Sequence, residues 1–298
     1  MQWTKSLAFL VLALRVSAST APSLQETYAA QGRLIVASFA SAPFPHPARA
    51  EGHTYQGKLY AAAEHYADST VAIFIPKGFR ETDRVDFVVH FHGWSNTVAG
   101  TLGTFHLVEQ LVASGKNAIL VVPEGPHDAP DSFGGKLEDA GGFQRFMDEV
   151  VATLRDRAGF RKDFSVGRII LSGHSGGYHV IAGILDRGGL SRNADEVWLF
   201  DALYGQTDSF VAWADRTQGR LIDLYTDHGG TKEESEKLVT RLKARDTTVI
   251  QAEEAKLDPA SLPGRHYVVM HTDLTHNEVV AKRGEFALFL KTSVLADR

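Results

Sequence analysis

Ser175 sits at the centre of Gly173-His174-Ser175-Gly176-Gly177, and a serine flanked in this way is set up to act as a nucleophile. An apolar run, Arg168-Ile169-Ile170-Leu171-Ser172, precedes it, and a helical pattern from Tyr178 to Leu185 comes after it. Strand, sharp turn and helix is the setting in which a G-x-S-x-G run carries chemical meaning. The turn holds the hydroxyl clear of the sheet. Strand and helix then pass so closely that the residues two before and two after the serine must be small, which Gly173 and Gly177 satisfy. The helix start also aims free N–H groups, and the positive end of the helix dipole, at charge developing beside Ser175. A serine so placed, with a base to take its proton, attacks an acyl carbon and leaves a covalent acyl-enzyme that water releases.

Positioning such a serine requires a framework, and the chain alternates short apolar runs with longer amphipathic ones. Val71 to Pro76 reads as an early strand, antiparallel to the later strands, and Phe87 to Phe91 as a buried strand. Thr104 to Ser114 reads as a helix, Asn117 to Val122 as a strand, and Phe143 to Leu154 as a helix. After the Ser175 turn come a strand at Glu196 to Phe200, a short helix at Ser209 to Ala214 and a strand at Leu221 to Tyr225. A helix at Lys232 to Lys243, a strand at His266 to Met270 and a closing helix at Glu285 to Leu295 complete the order. Alternating strands and helices imply an α/β fold with a mostly parallel central sheet and helices on both faces. The segment between Phe200 and Leu221 has room for one short helix and none for a cap domain. The irregular stretch Glu124 to Gly142, broken by Pro126, Pro130 and several glycines, reads as a loop lining the site. Its His127, Asp128 and Asp131 are, by default, turn formers.

Over roughly residues 55 to 295 the chain resembles the α/β-hydrolase family, on three features: Gly173-His174-Ser175-Gly176-Gly177, the strand ending in His90-Phe91-His92-Gly93-Trp94, and a late strand leading into Thr275-His276-Asn277-Glu278. The resemblance implies nucleophile, acid and histidine in that chain order. His276, on the loop after the last strand, is the expected base, while His266 and His271 read as satisfied surface histidines. Two acids compete. Asp227, just past the strand Leu221 to Tyr225, is preferred; Asp201, at the end of the preceding strand, is the alternative. Asp223 lies within a strand and is set aside, and Thr231 reads as the cap of the helix after Asp227. The acid would accept the Nδ1 proton of the histidine, so that Nε2 can take the hydroxyl proton of Ser175. The resemblance also implies an oxyanion hole made by the N–H groups of Gly176 and Trp94, with Gly93 permitting the tight backbone path. Trp94 is expected at the pocket mouth, and His174 and Tyr204 as substrate-binding neighbours.

Other chemistries draw on the same residues. His90 and His92 at a strand end are also how a metal-dependent hydrolase begins a ligand set, with Asp227-His228 and His271-Thr272-Asp273 downstream. No HExxH run completes that set, and the turn around Ser175 would be left unexplained. A serine peptidase or amidase would use the same triad. An inactive hydrolase fold that only binds a ligand is a further reading, against which stands the presence of every expected residue type.

Composition narrows the class. With 298 residues, 44% hydrophobic and 22% charged, the chain can bury a large core. A net charge of −5 offers no basic stripe for nucleic acid. Residues 1–18 read as a signal peptide, with Lys5, the apolar Leu7 to Leu14 and the small-residue site Val16-Ser17-Ala18; a polar linker comes next. The apolar stretch is too short for a membrane span. Its removal takes away Lys5 and Arg15 and no acid, moving the net charge from −5 to −7. There is no cysteine, so stability comes from the core without disulfides. The expectation is a signal peptide at 1–18 and one α/β-hydrolase domain at 19–298, secreted or periplasmic. It would cleave a small-molecule or polymer-linked carboxylic ester without a cofactor or metal.

Overall fold

The computed structural model describes residues 22–298 apart from Asp246, so the signal-peptide reading at residues 1–18 lies outside the described residues. The strands in chain order are β1 (Gly32–Ser38), β2 (His53–Tyr55), β3 (Lys58–Tyr60), β4 (Thr70–Pro76), β5 (Arg84–Phe91), β6 (Ile119–Pro123), β7 (Ser165–His174), β8 (Ala194–Phe200), β9 (Arg220–Thr226), β10 (Val249–Glu253) and β11 (Tyr267–Thr272). The helices are α1 (Leu24–Thr27), α2 (Ala62–His65), α3 (Val98–Thr104), α4 (Leu107–Ser114), α5 (Gly142–Ala158), α6 (Gly177–Gly183), α7 (Thr207–Thr217), α8 (Lys232–Ala244) and α9 (Glu285–Lys291). A nine-stranded sheet has the order β1-β4-β6-β5-β7-β8-β9-β11-β10. From β6 to β10 all pairings are parallel; β4 runs antiparallel to both β6 and β1. The mostly parallel sheet expected from the sequence is what the chain builds.

Alternation along the strands sorts side chains onto two cores. On β5, Val85, Phe87, Val89 and Phe91 face the layer holding α5, α6, α7 and α8, while Val88 faces the layer with α3, α4 and α9. Helix α5 shows why a helix forms and where it packs. Phe143, Phe146, Met147, Val150, Val151 and Leu154 recur at three- and four-residue spacing and are all buried on one face. Each such side chain contributes roughly 1.5–3 kcal/mol on leaving water. Gly159, at φ 78, ends the helix by returning its N–H to the Leu154 carbonyl.

Several expectations are corrected. From residue 22 onward the supposed linker is folded. Ser23 and Glu26 form a reciprocal cap on α1, and β1 pairs with β4 over seven residues. β1 buries Leu34 and Ile35 in succession, so it lacks the alternation that marks a strand with one wet face. β10 is a further strand that the apolar pattern does not signal; it is an edge strand of five residues, none fully buried. The helix predicted from Thr104 to Ser114 starts later: Thr104 ends α3, and α4 begins at Leu107, after His106, which takes φ 47. Between β8 and β9 there is α7 and, as expected, no cap domain.

Candidate active site

The site lies beyond the carboxyl ends of neighbouring parallel strands, where an open α/β sheet leaves a crevice. Phe91 on β5 is level with Gly173 on β7, and His174 is level with Phe200 on β8. The chain therefore delivers Gly93, Ser175 and Asp201 side by side, each one or two residues past a strand end. His276 arrives on the loop after β11.

Ser175 takes φ 53, a left-handed conformation that a residue with a Cβ rarely adopts, at a strain of roughly 1–3 kcal/mol. Its N–H reaches the Phe200 carbonyl at 3.2 Å, anchoring the turn to β8. The glycines around it have steric reasons. A Cβ on Gly93 would stand 2.5 Å from Ser175 Cβ and 3.0 Å from its Oγ. One on Gly173 would stand 2.8 Å from Ile181 Cδ1, and one on Gly177 only 2.6 Å from the Phe91 carbonyl oxygen.

His276 Nδ1 lies 2.6 Å from Asp201 Oδ2. Asp201 is fully buried and its carboxylate is well served: Thr226 donates its N–H (3.2 Å) and its hydroxyl (2.8 Å), and Thr231 donates its hydroxyl. Burial by itself would raise the Asp201 pKa, but the hydrogen bonds from His276, Thr231 and Thr226 outweigh it and hold the carboxyl below its usual range. Gly229 closes over this carboxylate so tightly that a Cβ there would overlap Oδ2.

The carboxylate beside His276 is therefore that of Asp201, the alternative acid, and not that of Asp227, the preferred one. Asp227 is half exposed, with Oδ1 2.7 Å from Lys232 Nζ and Oδ2 3.1 Å from His271 Nε2. It follows β9 directly and turns outward, whereas Asp201 takes φ 45 and turns inward beneath His276. Thr231, expected to cap α8, sends its hydroxyl to Asp201 instead. His271 bridges Asp227 and Glu253 at the surface, as a histidine with structural partners. Asp223 is buried on β9 and both its oxygens lack a hydrogen-bond partner.

For the oxyanion hole, neither the Gly176 N–H nor the Trp94 N–H donates to a protein group among the described residues. His92 explains how the second is aimed. Its Nδ1 faces the Gly93 carbonyl at 2.8 Å and so carries the proton; Nε2 then accepts the Gly125 N–H at 2.9 Å. The Gly93 carbonyl belongs to the same peptide as the Trp94 N–H, so His92 fixes that peptide's plane. His92 thus holds the Gly93–Trp94 peptide in place, a contact that its position in the strand-end motif does not reveal. Replacing it with leucine is expected to lower kcat about tenfold to a hundredfold with little change in KM, a fraction of what outright loss of a donor does. Steady-state kinetics on a short ester would measure it, and a change confined to KM would contradict the assignment.

His174, expected as a substrate-binding neighbour, packs beneath the His276 loop. It is buried, its ring 4.6 Å from that of His276, and its Nε2 donates to the His276 carbonyl at 2.8 Å. It supports the loop from beneath. Burial and the neighbouring His276 push its pKa down to about 4. The sign follows: between 6.5 and about 4 the unfolded chain binds a proton that the folded chain refuses, so stability falls as pH falls through that window. The ceiling for this one group is about 3 kcal/mol. Thermal midpoints measured across the window should therefore fall less steeply in His174→Gln than in the parent.

Trp94 is 43% exposed, with its ring beside Gly176, and Tyr204 is 37% exposed. The Trp94 indole donates to Ser132 Oγ at 2.7 Å, and its ring stands edge-on to Tyr55 of the β2–β3 hairpin. The Tyr204 hydroxyl donates to the Gly229 carbonyl at 2.5 Å; burial and the Asp201 charge push its phenol up to about 12. Ser132 and Gly134 line a small cleft with Gly176 and Gly177, so the 124–142 loop does border the site. Its Asp131 is no simple turn former: it is buried in a two-pronged pair with Arg49, at 2.7 and 3.1 Å. Ser132, Thr226 and Thr231 carry no local signal in the sequence.

The metal reading of His90 and His92 gains no ligand set. His90 is buried, 2.9 Å from Ser172 Oγ and edge-on to Phe105 and Phe286. Burial holds its pKa well below the usual imidazole range. Among the described residues, neither histidine belongs to a group of three side chains close enough to share an ion.

No protein-family model matches the chain, and no curated protein matches it by sequence. Solved structures do match in shape. The feruloyl esterase module from Clostridium thermocellum aligns at TM-score 0.53 with 10% identity, covering 91% of each chain. An S-formylglutathione hydrolase from Agrobacterium tumefaciens aligns at 0.50 with 14% identity, covering 94% of this chain and 99% of its own. The fluorophosphonate-binding serine hydrolase FphF from Staphylococcus aureus aligns at 0.50 with 12% identity over 88% and 99%. With its parallel sheet, the left-handed turn at Ser175 and these likenesses, the chain has the α/β-hydrolase fold.

Proposed function

We propose that this protein is a serine hydrolase that cleaves carboxylic esters, with Ser175 as nucleophile, His276 as base and Asp201 as the acid. The observation that carries the reading is the 2.6 Å contact between His276 Nδ1 and the buried Asp201 carboxylate, on the loop that returns toward the strained Ser175 turn. Asp201 holds the Nδ1–H tautomer, which leaves Nε2 free to take the Ser175 proton. Oγ attacks the acyl carbon, and the carbonyl oxygen, now negative, accepts from the Gly176 and Trp94 N–H groups. His276 then returns its proton to the departing alcohol, and water repeats the sequence on the acyl-enzyme.

Esters rather than long-chain lipids are favoured because no cap covers the cleft, and the exposed Trp94 and Tyr204 leave room for a bulky or polymer-linked alcohol. The fold neighbours named as esterases and as an S-formylglutathione hydrolase agree in reaction class. Export is proposed on the charged, apolar and small-residue order of residues 1–18. The test is turnover of short p-nitrophenyl esters together with labelling by a fluorophosphonate. In Ser175→Ala labelling should vanish and turnover should fall by orders of magnitude, and labelling that persists there would reject the nucleophile.

A further inference from the structure

We propose that Asp68, Glu124 and His127 form a binding site for a divalent transition-metal ion, zinc best matching the donors, behind the turn that carries Trp94. One ligand atom from each residue lies within 4.8 Å of the others. His127 Nδ1 stands 3.5 Å from Asp68 Oδ2 and 3.7 Å from Glu124 Oε2. These separations are too long for hydrogen bonds. They are close to the edge of a tetrahedron about zinc, which is roughly 3.3–3.6 Å when metal–ligand bonds are about 2.0–2.2 Å.

Two further observations suit a bound cation. His127 Nδ1 is sealed from solvent with no hydrogen-bond partner, although the ring as a whole is 36% exposed. Glu124, only 3% exposed, is poorly compensated. Its Oε2 accepts one N–H, from Val98 at 2.9 Å. Its Oε1 lies 3.1 Å from His92 Nε2, but that nitrogen already accepts from Gly125 and has no proton to give. A buried carboxylate with a single donor requires a positive charge nearby. A protonated His127 would supply one, yet a single Nδ1–H cannot bond two carboxylates, and it approaches neither to bonding distance.

The donors are held from three directions. The His127 N–H bonds the His65 carbonyl at 2.9 Å, and the Glu124 N–H bonds the Thr70 carbonyl at 2.8 Å. The second oxygen of Asp68 accepts the Thr70 N–H at 2.8 Å. One imidazole with two carboxylates suits zinc, whereas calcium and magnesium prefer oxygen donors throughout. Asp68 is 34% exposed, which leaves the outer side open for water as a fourth ligand. The ion would brace the oxyanion turn, since Glu124 touches His92 and His127 bridges to Asn96, two residues after Trp94. No step of hydrolysis passes through it, and the proposal stands whether or not Ser175 is the nucleophile.

The full-length protein, stripped with EDTA, is titrated with zinc chloride by calorimetry and followed by thermal unfolding, with magnesium chloride in parallel. One zinc ion should bind per chain and raise Tm by about 5 °C at saturation, while magnesium does neither. Asp68→Asn and His127→Gln, both partly exposed and expected to fold, should each weaken zinc binding at least about tenfold. His228→Gln, outside the cluster, should not. Absence of zinc binding to the folded parent overturns the proposal. So does an equal response to magnesium, or zinc binding that survives unchanged when Asp68→Asn and His127→Gln are combined.

Discussion

Ser175→Ala is expected to lower kcat on a p-nitrophenyl ester by a factor of about 10⁴ to 10⁶ while leaving the fold intact. Removing Oγ deletes the attacking atom, so the acyl-enzyme cannot form. What survives is the rate that the oxyanion donors and simple binding lend to water, roughly 10³–10⁴ above the uncatalysed reaction. Single-turnover kinetics and Tm, measured on the same preparation, separate loss of chemistry from loss of structure. A residual rate within tenfold of the parent would leave the Ser175 turn without a catalytic role.

The second large effect separates two aspartates. Asp201→Asn should reduce kcat by about 10⁴, as expected where an amide replaces the acid that holds the histidine tautomer. An asparagine can present its N–H to Nδ1, which drives the proton to Nε2, the atom that must accept from Ser175. Asp227→Asn should stay within about threefold of the parent, because an exposed ion pair such as Asp227 with Lys232 contributes little. The pair of kcat values, with KM as control, decides between them. A large loss in Asp227→Asn with an intact Asp201→Asn would return the role to Asp227.

Much of the site is written locally, and the reason is steric. The glycines at 173 and 177 are demanded by atoms a few residues away along the chain or on the adjoining strand end, so their spacing announces the turn at Ser175. His276 is legible because a histidine soon after the final strand has few places to go. The alternation of apolar runs with amphipathic ones likewise announces a parallel sheet, since strands buried on both faces read as continuous apolar stretches.

Asp201 and Asp227 are different. Each is an aspartate immediately after a strand, and no feature within a few residues distinguishes them. The distinction comes from Thr226 and Thr231, 25 and 30 residues away, whose hydroxyls cradle Asp201 once β8 and β9 lie side by side. His174 illustrates the same limit. It neighbours the nucleophile in sequence, yet the pleat of β7 turns its side chain inward, under the His276 loop. β1 escapes notice because it buries residues on both faces at the edge of a sheet whose other strands lie far along the chain. The amino-acid order thus carries the proposed nucleophile, the proposed base and the layered fold, all read from contacts close in the chain or from side-chain period. The partner of His276, the Gly125 N–H that meets His92 and the approach of Asp68 to Glu124 and His127 appear only once the chain has folded, because each joins groups far apart in sequence.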